Sequence, residues 1–355
     1  MKQVAPVVNP LYLEDLSYIG SCRSISWTTL SGKAVLLSGA TGMIGSCLID
    51  AIQGKNSKEN FGCKTIVLGR NAKKAQNRFE TYWGSPFFSF IECDINEVAS
   101  IPSDIKADFV IHLASNTHPV AYSTDPIGTI TTNIIGTKNM LDVAVRCHAS
   151  RFLFASSNEV YGENRGDQEL FDESYCGYID CNTLRAGYPE SKRCGEALCQ
   201  AYKKQEGLDI VIARLTRSFG PTLLPSDTKA LSQFLHNGLN KENIVLKSAG
   251  NQYYSYTYTA DAVTGLLTVL TRGENGEAYN ISDLTCDVKL KDLAQMIADI
   301  SGTTVVFALP SETEMQGFSK ATKARLDGKK LQALGWKAEY SIKEGLYRTL
   351  VCLRQ

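Results

Sequence analysis

The sequence has no dominant charge sign and no long apolar run. Lysines and arginines together number 37, as do aspartates and glutamates, so the formal net charge of the 355 residues is +0. A neutral chain has no electrostatic footprint for nucleic acid or for an anionic membrane surface. No apolar run approaches the ~20 residues of a spanning helix. Because the N-terminus also lacks the basic and then apolar pattern of a signal peptide, we expect a cytoplasmic protein without nucleic-acid or membrane partners.

The sequence also lacks the cysteine spacing of a zinc site. Its eleven cysteines are odd in number and none belongs to a C-x-x-C pair, which is typical of reduced thiols in a cytosolic enzyme. Four cysteines that lie close together are the alternative metal ligands, namely Cys176, Cys181, Cys194 and Cys199. Their spacing does not match the usual zinc patterns, so we predict no metal site.

Apolar runs of strand length alternate with helical stretches up to about residue 215. The predicted strands are residues 34–38, 65–68, 88–92, 109–112, 151–156 and 210–214, and the helices between them include 43–52, 133–146 and 188–205. Strands that alternate with helices require crossover connections. We therefore predict an α/β fold with a Rossmann-like, doubly wound parallel sheet.

The pattern changes after residue 215, which indicates a second unit. We predict a dinucleotide-binding domain at residues 33–215. Residues 216–350 should mainly form a smaller C-terminal substrate-binding domain, with some segments returning to the first domain. Residues 1–32 have mixed polarity and no clear period, so we predict an N-terminal extension over the domain surface.

A tyrosine and a lysine stand four residues apart in Tyr188-Pro-Glu-Ser-Lys192. On a helix such positions share a face, so the ammonium can approach the phenol ring. A nearby cation favours phenolate and lowers the tyrosine pKa, as a general base requires. The pattern alone is weak, and a surface pair on a helix explains most random matches. Its position after a glycine-rich turn and after the strand end at Ser156-Ser157 favours catalysis.

Three glycines lie between the first strand and the first helix, at Gly39, Gly42 and Gly45. Backbone amides at such a turn, here including Met43 and Ile44, can hold the pyrophosphate of a dinucleotide. The spacing G-x-x-G-x-x-G departs from the usual G-x-G-x-x-G, so a plain glycine turn is the alternative.

The residue after the second strand bears on the choice between NAD and NADP. An acid for the adenosine ribose is common there, but this chain has Arg70, followed by Lys73 and Lys74. An arginine can pair with the 2′-phosphate of NADP, or it can stack on the adenine of NAD. Both cofactors therefore remain open. Asp94 and Ile95 are placed to meet the adenine, and Leu113, Ala114 and Ser115 to meet the phosphates and the nicotinamide ribose.

These residues together resemble the extended short-chain dehydrogenase/reductases of the NAD-dependent epimerase/dehydratase family, which modify nucleotide sugars. The likeness covers roughly residues 33–350 and is strongest to UDP-glucuronate decarboxylases, with 4,6-dehydratases and 4-epimerases as neighbours. It is carried by His112-Leu-Ala-Ser115, Tyr122 with Asp125-Pro126, Thr132-Asn-Ile-Ile-Gly136-Thr137, Ser156-Ser-Asn-Glu159-Val-Tyr-Gly162 and Arg185-Ala-Gly-Tyr188-Pro-Glu-Ser-Lys192-Arg193 with Glu196.

The resemblance implies a reaction that begins with hydride transfer from sugar C4 to the nicotinamide. Tyr188 would take the proton of the C4 hydroxyl, Ser157 would orient the same oxygen, and Lys192 would tune Tyr188 and hold the nicotinamide ribose. The resulting 4-keto sugar can lead to epimerisation, dehydration or loss of carbon dioxide.

Several positions bear on the choice among these outcomes. Asn158 stands where a 4,6-dehydratase has an acid, and an amide cannot supply its proton. Glu159 matches decarboxylases, although a carboxylate that caps local backbone is the alternative. Two departures weaken the decarboxylase interpretation: Tyr254 replaces the family's arginine, and Arg217 replaces its asparagine. The expected substrate-binding residues are Tyr122, Asn158, Arg185, Arg217 and Tyr254.

The sequence thus favours an enzyme acting on a nucleotide sugar, with UDP-glucuronate decarboxylation as the named reaction. A 4-epimerase, a dehydrogenase that releases reduced cofactor, and a non-catalytic NAD(P)-binding sensor are the alternatives. The helices at 133–146 and 188–205 also resemble the pair through which this family forms a homodimer. Its expected apolar core is Met140, Leu141, Val143, Ala144, Ala197, Leu198 and Ala201, unless these side chains are buried within the monomer.

Overall fold

Seven parallel strands form the central sheet of the protein. A computed structural model describes residues 9–117, 119–310 and 323–354. The strands are β1 (Ala34–Ser38), β2 (Lys64–Gly69), β3 (Phe88–Glu92), β4 (Phe109–His112), β5 (Arg151–Ser157), β6 (Ile210–Leu215) and, after three strands of the second unit, β10 (Ala278–Ile281). They lie in the order β10-β6-β5-β4-β1-β2-β3, and each neighbouring pair runs parallel. The predicted doubly wound α/β fold is confirmed.

Helices cover both faces of this sheet, which is why its strands are almost continuously apolar. The helices are α1 (Pro10–Ser21), α2 (Met43–Lys58), α3 (Ala72–Arg78), α4 (Pro119–Thr124), α5 (Pro126–Thr131), α6 (Thr137–Arg146), α7 (Gly187–Glu206), α8 (Ala230–Leu239), α9 (Thr259–Arg272), α10 (Leu290–Ser301), α11 (Lys329–Gln332) and α12 (Ile342–Leu353). Successive residues of β1 contribute to opposite faces, because Val35 and Leu37 belong to one core cluster and Leu36 to the other.

The chain after residue 215 adds two small sheets. The remaining strands are β7 (Arg217–Phe219), β8 (Ile244–Leu246), β9 (Tyr253–Tyr258), β11 (Asp287–Lys289), β12 (Val305–Phe307) and β13 (Lys323–Ala324). Strand β9 pairs with β7, β11 and β13, while β12 pairs with β8. Because β10 returns to the large sheet, this half of the chain is interwoven with the first. The domain boundaries themselves stay a prediction.

The N-terminal segment differs from the expected surface extension. Residues 10–21 form helix α1, in which Tyr12 and Ile19 are fully buried. The Tyr12 hydroxyl donates to Asp50 at 2.6 Å, and Asp15 accepts from Tyr258 at 2.6 Å and from Arg348 at 2.9 Å. The helical period was missed because its buried face includes the charged Asp15, which these distant partners satisfy. Residues 1–8 lie outside the described residues.

The apolar side chains expected at a dimer interface divide into two groups. Met140, Leu141, Val143 and Ala144 are fully buried within the monomer, so they are not available to a partner and this part of the prediction was wrong. Ala197 and Ala201 are exposed and Leu198 is half-buried. The interface prediction was wrong for the first group because α6 packs its apolar face on the sheet. A π-helical turn, Thr132–Gly136, precedes α6.

The described residues give no support to a membrane span or a metal cluster. None of their helices combines the length and apolar composition needed to cross a bilayer. Within the same ranges, no group of three or more His, Cys, Asp or Glu side chains is placed to hold a metal ion. All eleven cysteines are unpaired. Of the four considered as metal ligands, Cys176 and Cys181 are exposed, Cys194 is half-buried and Cys199 is buried.

Candidate active site

A cleft of about 710 Å³ opens at the carboxyl ends of the parallel strands. This edge of an open α/β sheet is where such folds bind their ligands. The cleft is lined by residues that follow β1 to β5 and by side chains of β7, α8 and β9. All of the predicted site residues line it.

The glycine turn is packed so closely that Gly39 and Gly45 leave no space for a side chain. Gly39 has φ +78°, and a Cβ there would lie 2.6 Å from the Ala114 nitrogen. A Cβ on Gly45 would lie 2.5 Å from the Gly39 oxygen. Gly42 is the N-cap of α2, so Met43 and Ile44 begin the helix inside the cleft. The first amides of a helix have no intrahelical acceptor, and this turn therefore presents donors suited to a phosphate.

Cations line the cleft beyond β2. Arg70 is largely exposed, at 68% of its side chain, and lies 3.8 Å from Asp94, which follows β3. Lys74 also lines the cleft, and burial lowers the pKa of its ammonium. Ile95 is buried beside Asp94. The geometry suits either cofactor, because Arg70 is free to reach a 2′-phosphate or an adenine ring.

The end of β4 is held by a buried polar network. His112 bonds to Ser38 at 2.6 Å and to Thr137 at 3.0 Å, and burial together with the Lys192 charge lowers the pKa of His112 to about 3. Ser115 donates to Asn133 at 2.7 Å. These bonds fix the backbone of Leu113, Ala114 and Ser115, which lines the cleft.

Ser157 and Tyr188 lie together at the centre of the cleft. Ser157 ends β5, Tyr188 lies in the first turn of α7, and both are buried. Burial raises the pKa of Tyr188 well above its ordinary value, and the Glu159 carboxylate raises it further. A hydrogen bond with Ser157 and the charge of Arg185 lower it. The pair is thus arranged to share a proton with a bound hydroxyl.

Lys192 points away from the position that the sequence suggested. Its ammonium donates to the Ala155 carbonyl at 2.8 Å and lies 4.8 Å from the centre of the Phe154 ring. Burial lowers the pKa of Lys192 to about 8, while Glu196 and Cys199 oppose this. The groups that lower the Tyr188 pKa are Ser157 and Arg185, and the expected effect of Lys192 on Tyr188 stays a prediction.

A chain of stacked groups leads from Tyr188 to Glu159. The rings of Tyr188 and Tyr122 stack with centroids 4.9 Å apart, and the Arg185 guanidinium lies 4.7 Å from the Tyr122 centroid. Arg185 Nη2 donates to Glu159 at 2.6 Å. Burial alone would lower the pKa of Arg185, but the Glu159 carboxylate raises it. Glu159 is thus a partner of Arg185 and not only a loop cap.

Arg217 and Tyr254 lie against each other on neighbouring strands. The Arg217 guanidinium carbon is 3.6 Å from the centre of the Tyr254 ring, and β7 pairs with β9. Asn158 is buried in the same part of the cleft. Among the described residues that line the cleft, three buried guanidinium nitrogens have no hydrogen-bond partner: Arg185 Nε, Arg185 Nη1 and Arg217 Nη1. Buried donors are normally paired, so this region is suited to an anionic ligand.

Glu196, for which no role was predicted, is linked to the site by hydrogen bonds. Its carboxylate accepts from Ser156 at 2.6 Å and from two nitrogens of Arg214. The sequence held one signal for this, because Glu196 follows Lys192 by four residues on the same helix. The pairing with Arg214, 18 residues away on β6, had no such signal.

Comparison with known proteins gives consistent matches. The sequence model described as the NAD dependent epimerase/dehydratase family matches residues 35–282. UDP-glucuronic acid decarboxylase 5 of Arabidopsis thaliana is 31% identical over 319 residues, which are 89% of this chain and 88% of that protein. A double mutant of dTDP-glucose 4,6-dehydratase from Streptomyces venezuelae, solved with NAD bound, is similar with a TM-score of 0.77 and 25% identity, over 90% of this chain and 97% of that one. UDP-glucose 4-epimerase of Thermotoga maritima, solved with UDP-glucose, has a TM-score of 0.77 and 23% identity over 90% and 98%.

Proposed function

Because the chain belongs to the NAD-dependent epimerase/dehydratase family, we propose that it converts a nucleotide sugar through transient oxidation at C4 of the sugar. UDP-glucuronate decarboxylation is the specific reaction that we propose. It is supported by the relatives named UDP-glucuronic acid decarboxylase and by the unpaired arginine donors of the cleft.

The glycine turn fits the pyrophosphate of NAD. A side chain at Gly39 or Gly45 would collide with backbone at 2.5–2.6 Å, so the cradle exists only with glycines. The amides of Met43 and Ile44 would hold the phosphates, and Arg70, Asp94 and Ile95 would surround the adenosine. When bound, NAD supplies a temporary acceptor for the electrons of the C4–H bond. Lys192 would hold the nicotinamide ribose.

Tyr188 and Ser157 would move the proton of the C4 hydroxyl. Because the pKa of Tyr188 is raised, its phenol is protonated at rest. Tyr188 can therefore act as a base only if its own hydroxyl is hydrogen-bonded to Ser157. Their hydrogen bond and the nearby Arg185 charge work in that direction. Once C4 is a ketone, a C6 carboxylate is a β-keto acid and can leave as carbon dioxide.

The proposal of an acidic substrate rests on the three unpaired guanidinium nitrogens of the cleft. A buried donor without an acceptor costs about 1–3 kcal/mol, which a bound anion recovers. Arg185 and Arg217 belong to the cleft that holds Tyr188. UDP-glucuronate carries both a diphosphate and a carboxylate, and each is a suitable acceptor. Arg217 would then supply the cation that the family's arginine supplies at the position of Tyr254.

A 4-epimerase is the second candidate. Its supporting observation is that Arg185 holds Glu159 by both carboxylate oxygens, which leaves Glu159 less able to donate a proton after decarboxylation. A 4,6-dehydratase is disfavoured, because Asn158 cannot protonate a departing hydroxyl.

We also propose a homodimer in the cytoplasm. Ile127, Ile130 and Ile135 are exposed on α5 and the π-helical turn, two elements that pack against α7, and Ala197 and Ala201 of α7 are exposed as well. The eleven unpaired cysteines fit a reducing compartment.

The test is incubation of the purified protein with UDP-glucuronate and with UDP-glucose, followed by mass spectrometry of the products. We expect loss of carbon dioxide from UDP-glucuronate, and Tyr188→Phe should lower turnover by roughly 10²–10⁴-fold. Tyr202→Phe, on the outer part of the same helix, is the matched control and should retain activity. Conversion of UDP-glucose alone would establish the epimerase. Steady accumulation of reduced cofactor would establish a dehydrogenase, and cofactor binding without any turnover would favour the sensor.

A further inference from the structure

A largely buried carboxylate lies one helical turn after Lys192. Glu196 is on α7 with 14% of its side chain exposed. It accepts a hydrogen bond from Ser156 Oγ at 2.6 Å, and Ser156 is the immediate neighbour of Ser157 on β5. Glu196 therefore ties the strand that carries Ser157 to the helix that carries Tyr188 and Lys192.

Arg214 holds this carboxylate in place through a two-point contact. Its Nε and Nη2 donate to the two oxygens of Glu196 at 3.0 and 2.7 Å. Its Nη1 donates to the Tyr161 hydroxyl at 2.9 Å and to the Glu173 carbonyl at 2.7 Å. Burial alone would lower the pKa of Arg214, but the hydrogen bonds and charge of Glu196 raise it. A bidentate arginine fixes geometry as well as charge, so Arg214 sets the orientation of the Glu196 carboxylate.

Lys192 needs a nearby negative charge to stay protonated. Only 3% of the residue is exposed, and its ammonium meets the Ala155 carbonyl and the Phe154 ring. Of the titratable groups that face it, His112 is neutral at ordinary pH because its pKa is about 3, and burial raises the pKa of the Cys199 thiol and keeps it neutral. Glu196 is the group that brings a full negative charge.

We propose that Glu196 is a positioning residue of the active site, which keeps Lys192 protonated and, through Ser156, holds the Ser157 strand end against α7. Arg214 acts through Glu196 by fixing its orientation. The proposal rests on the proposed function in that Lys192 is taken to serve the bound cofactor.

The direct test is a titration of Lys192 by NMR of lysine-labelled protein, with the signal assigned from Lys192→Arg. The wild-type midpoint should lie near pH 8, because burial lowers the pKa to about this value against the effect of Glu196. Glu196→Gln preserves size and polarity but removes the charge. Its Lys192 midpoint should fall below the wild-type value, because the Glu196 charge that raises the Lys192 pKa has been removed. Glu190→Gln, which breaks an ion pair with Arg193 on the same helix, is the control and should leave the midpoint unchanged.

Binding of NAD as a function of pH supplies the second readout. Glu196→Gln should bind NAD more weakly than the wild type near pH 8 and regain affinity as the pH is lowered and Lys192 is protonated again. A merely structural role would weaken binding at every pH. An unchanged Lys192 midpoint would overturn the proposal, whatever the effect on binding. If the wild type bound no NAD, the proposed function would fail, while the titration would still decide the role of Glu196.

The single variant leaves Arg214 buried without its partner and could unfold. The variant Glu196→Gln/Arg214→Gln removes both charges together. The Lys192 midpoint should still fall below the wild-type value, but by less than in the single variant, because the opposing charge of Arg214 is removed together with the Glu196 charge that acts on Lys192. A midpoint in the double variant equal to that of the wild type would contradict the proposal.

Discussion

Replacement of Arg217 by methionine should weaken substrate binding without destabilising the protein. Arg217 contributes a buried nitrogen without a hydrogen-bond partner and a contact of 3.6 Å with the Tyr254 ring. Removal of the unpaired donor relieves about 1–3 kcal/mol. Loss of the cation–π contact costs about 0.5–2 kcal/mol. The two effects nearly cancel, so the free energy of unfolding should change by no more than about 1 kcal/mol.

Substrate binding, in contrast to stability, should be clearly weakened in this variant. A hydrogen bond to a charged group contributes about 1.5–3 kcal/mol, so the dissociation constant of UDP-glucuronate should rise roughly 10- to 150-fold in Arg217→Met. Calorimetric titration with UDP, UDP-glucose and UDP-glucuronate identifies the anion. A loss common to all three ligands assigns Arg217 to the diphosphate, and a loss confined to UDP-glucuronate assigns it to the carboxylate.

Arg214→Met is the matched control for stability. Arg214 lies three residues earlier and is paired with Glu196 through two hydrogen bonds, so its removal leaves a largely buried carboxylate without its counter-charge. Breaking such a pair costs about 3–5 kcal/mol. Urea unfolding should therefore separate the two variants clearly. A large loss of stability in Arg217→Met, combined with unchanged affinity for all three ligands, would refute the reasoning.

Three further predictions concern the cofactor, acid stability and assembly. If Arg70 meets a 2′-phosphate, NADP should bind more tightly than NAD, and Arg70→Ala should remove the preference; a preference for NAD in the unmodified protein would instead support stacking on adenine. The pKa of His112 is lowered from 6.5 to about 3, so the neutral imidazole contributes up to about 5 kcal/mol of stability. This contribution is present above pH 6.5 and lost as the pH falls towards 3. In urea unfolding, His112→Asn should therefore make the free energy of unfolding less dependent on pH in this range, and an unchanged dependence would argue against the prediction. Light scattering at micromolar concentration should give a dimer mass that Ile135→Asp reduces to that of a monomer, whereas a wild-type monomer would count against the interface.

The central sheet could be predicted because parallel strands buried on both faces leave apolar runs in the sequence. Six strands were placed to within about one residue on this basis. Helix α1 could not be predicted in the same way, because its buried face includes Asp15, whose partners Tyr258 and Arg348 are more than 240 residues away. A charged residue on a buried face hides the period until the fold supplies its counter-charge.

The site could be predicted as a set of residues but not as an arrangement. The spacing of Tyr188 and Lys192 correctly indicated a shared helix, but the direction of the ammonium depends on the Ala155 carbonyl of a different element. The sequence also did not show which apolar side chains of α6 are exposed, since Met140 and Leu141 are buried against the sheet and do not face a partner. The contact of Arg217 with Tyr254 depends on the pairing of β7 with β9. This pairing could not be predicted from the sequence of either strand.

The central claim is transient oxidation at C4, and an isotope experiment tests it most directly. UDP-glucuronate with deuterium at C4 is incubated with the protein, and the product is analysed by mass spectrometry and NMR. We predict a decarboxylated product that keeps deuterium at C4 with the wild type and almost no product with Tyr188→Phe. Product formation without any involvement of C4, seen as equal rates with Tyr188→Phe, or loss of the C4 deuterium to solvent, would contradict it.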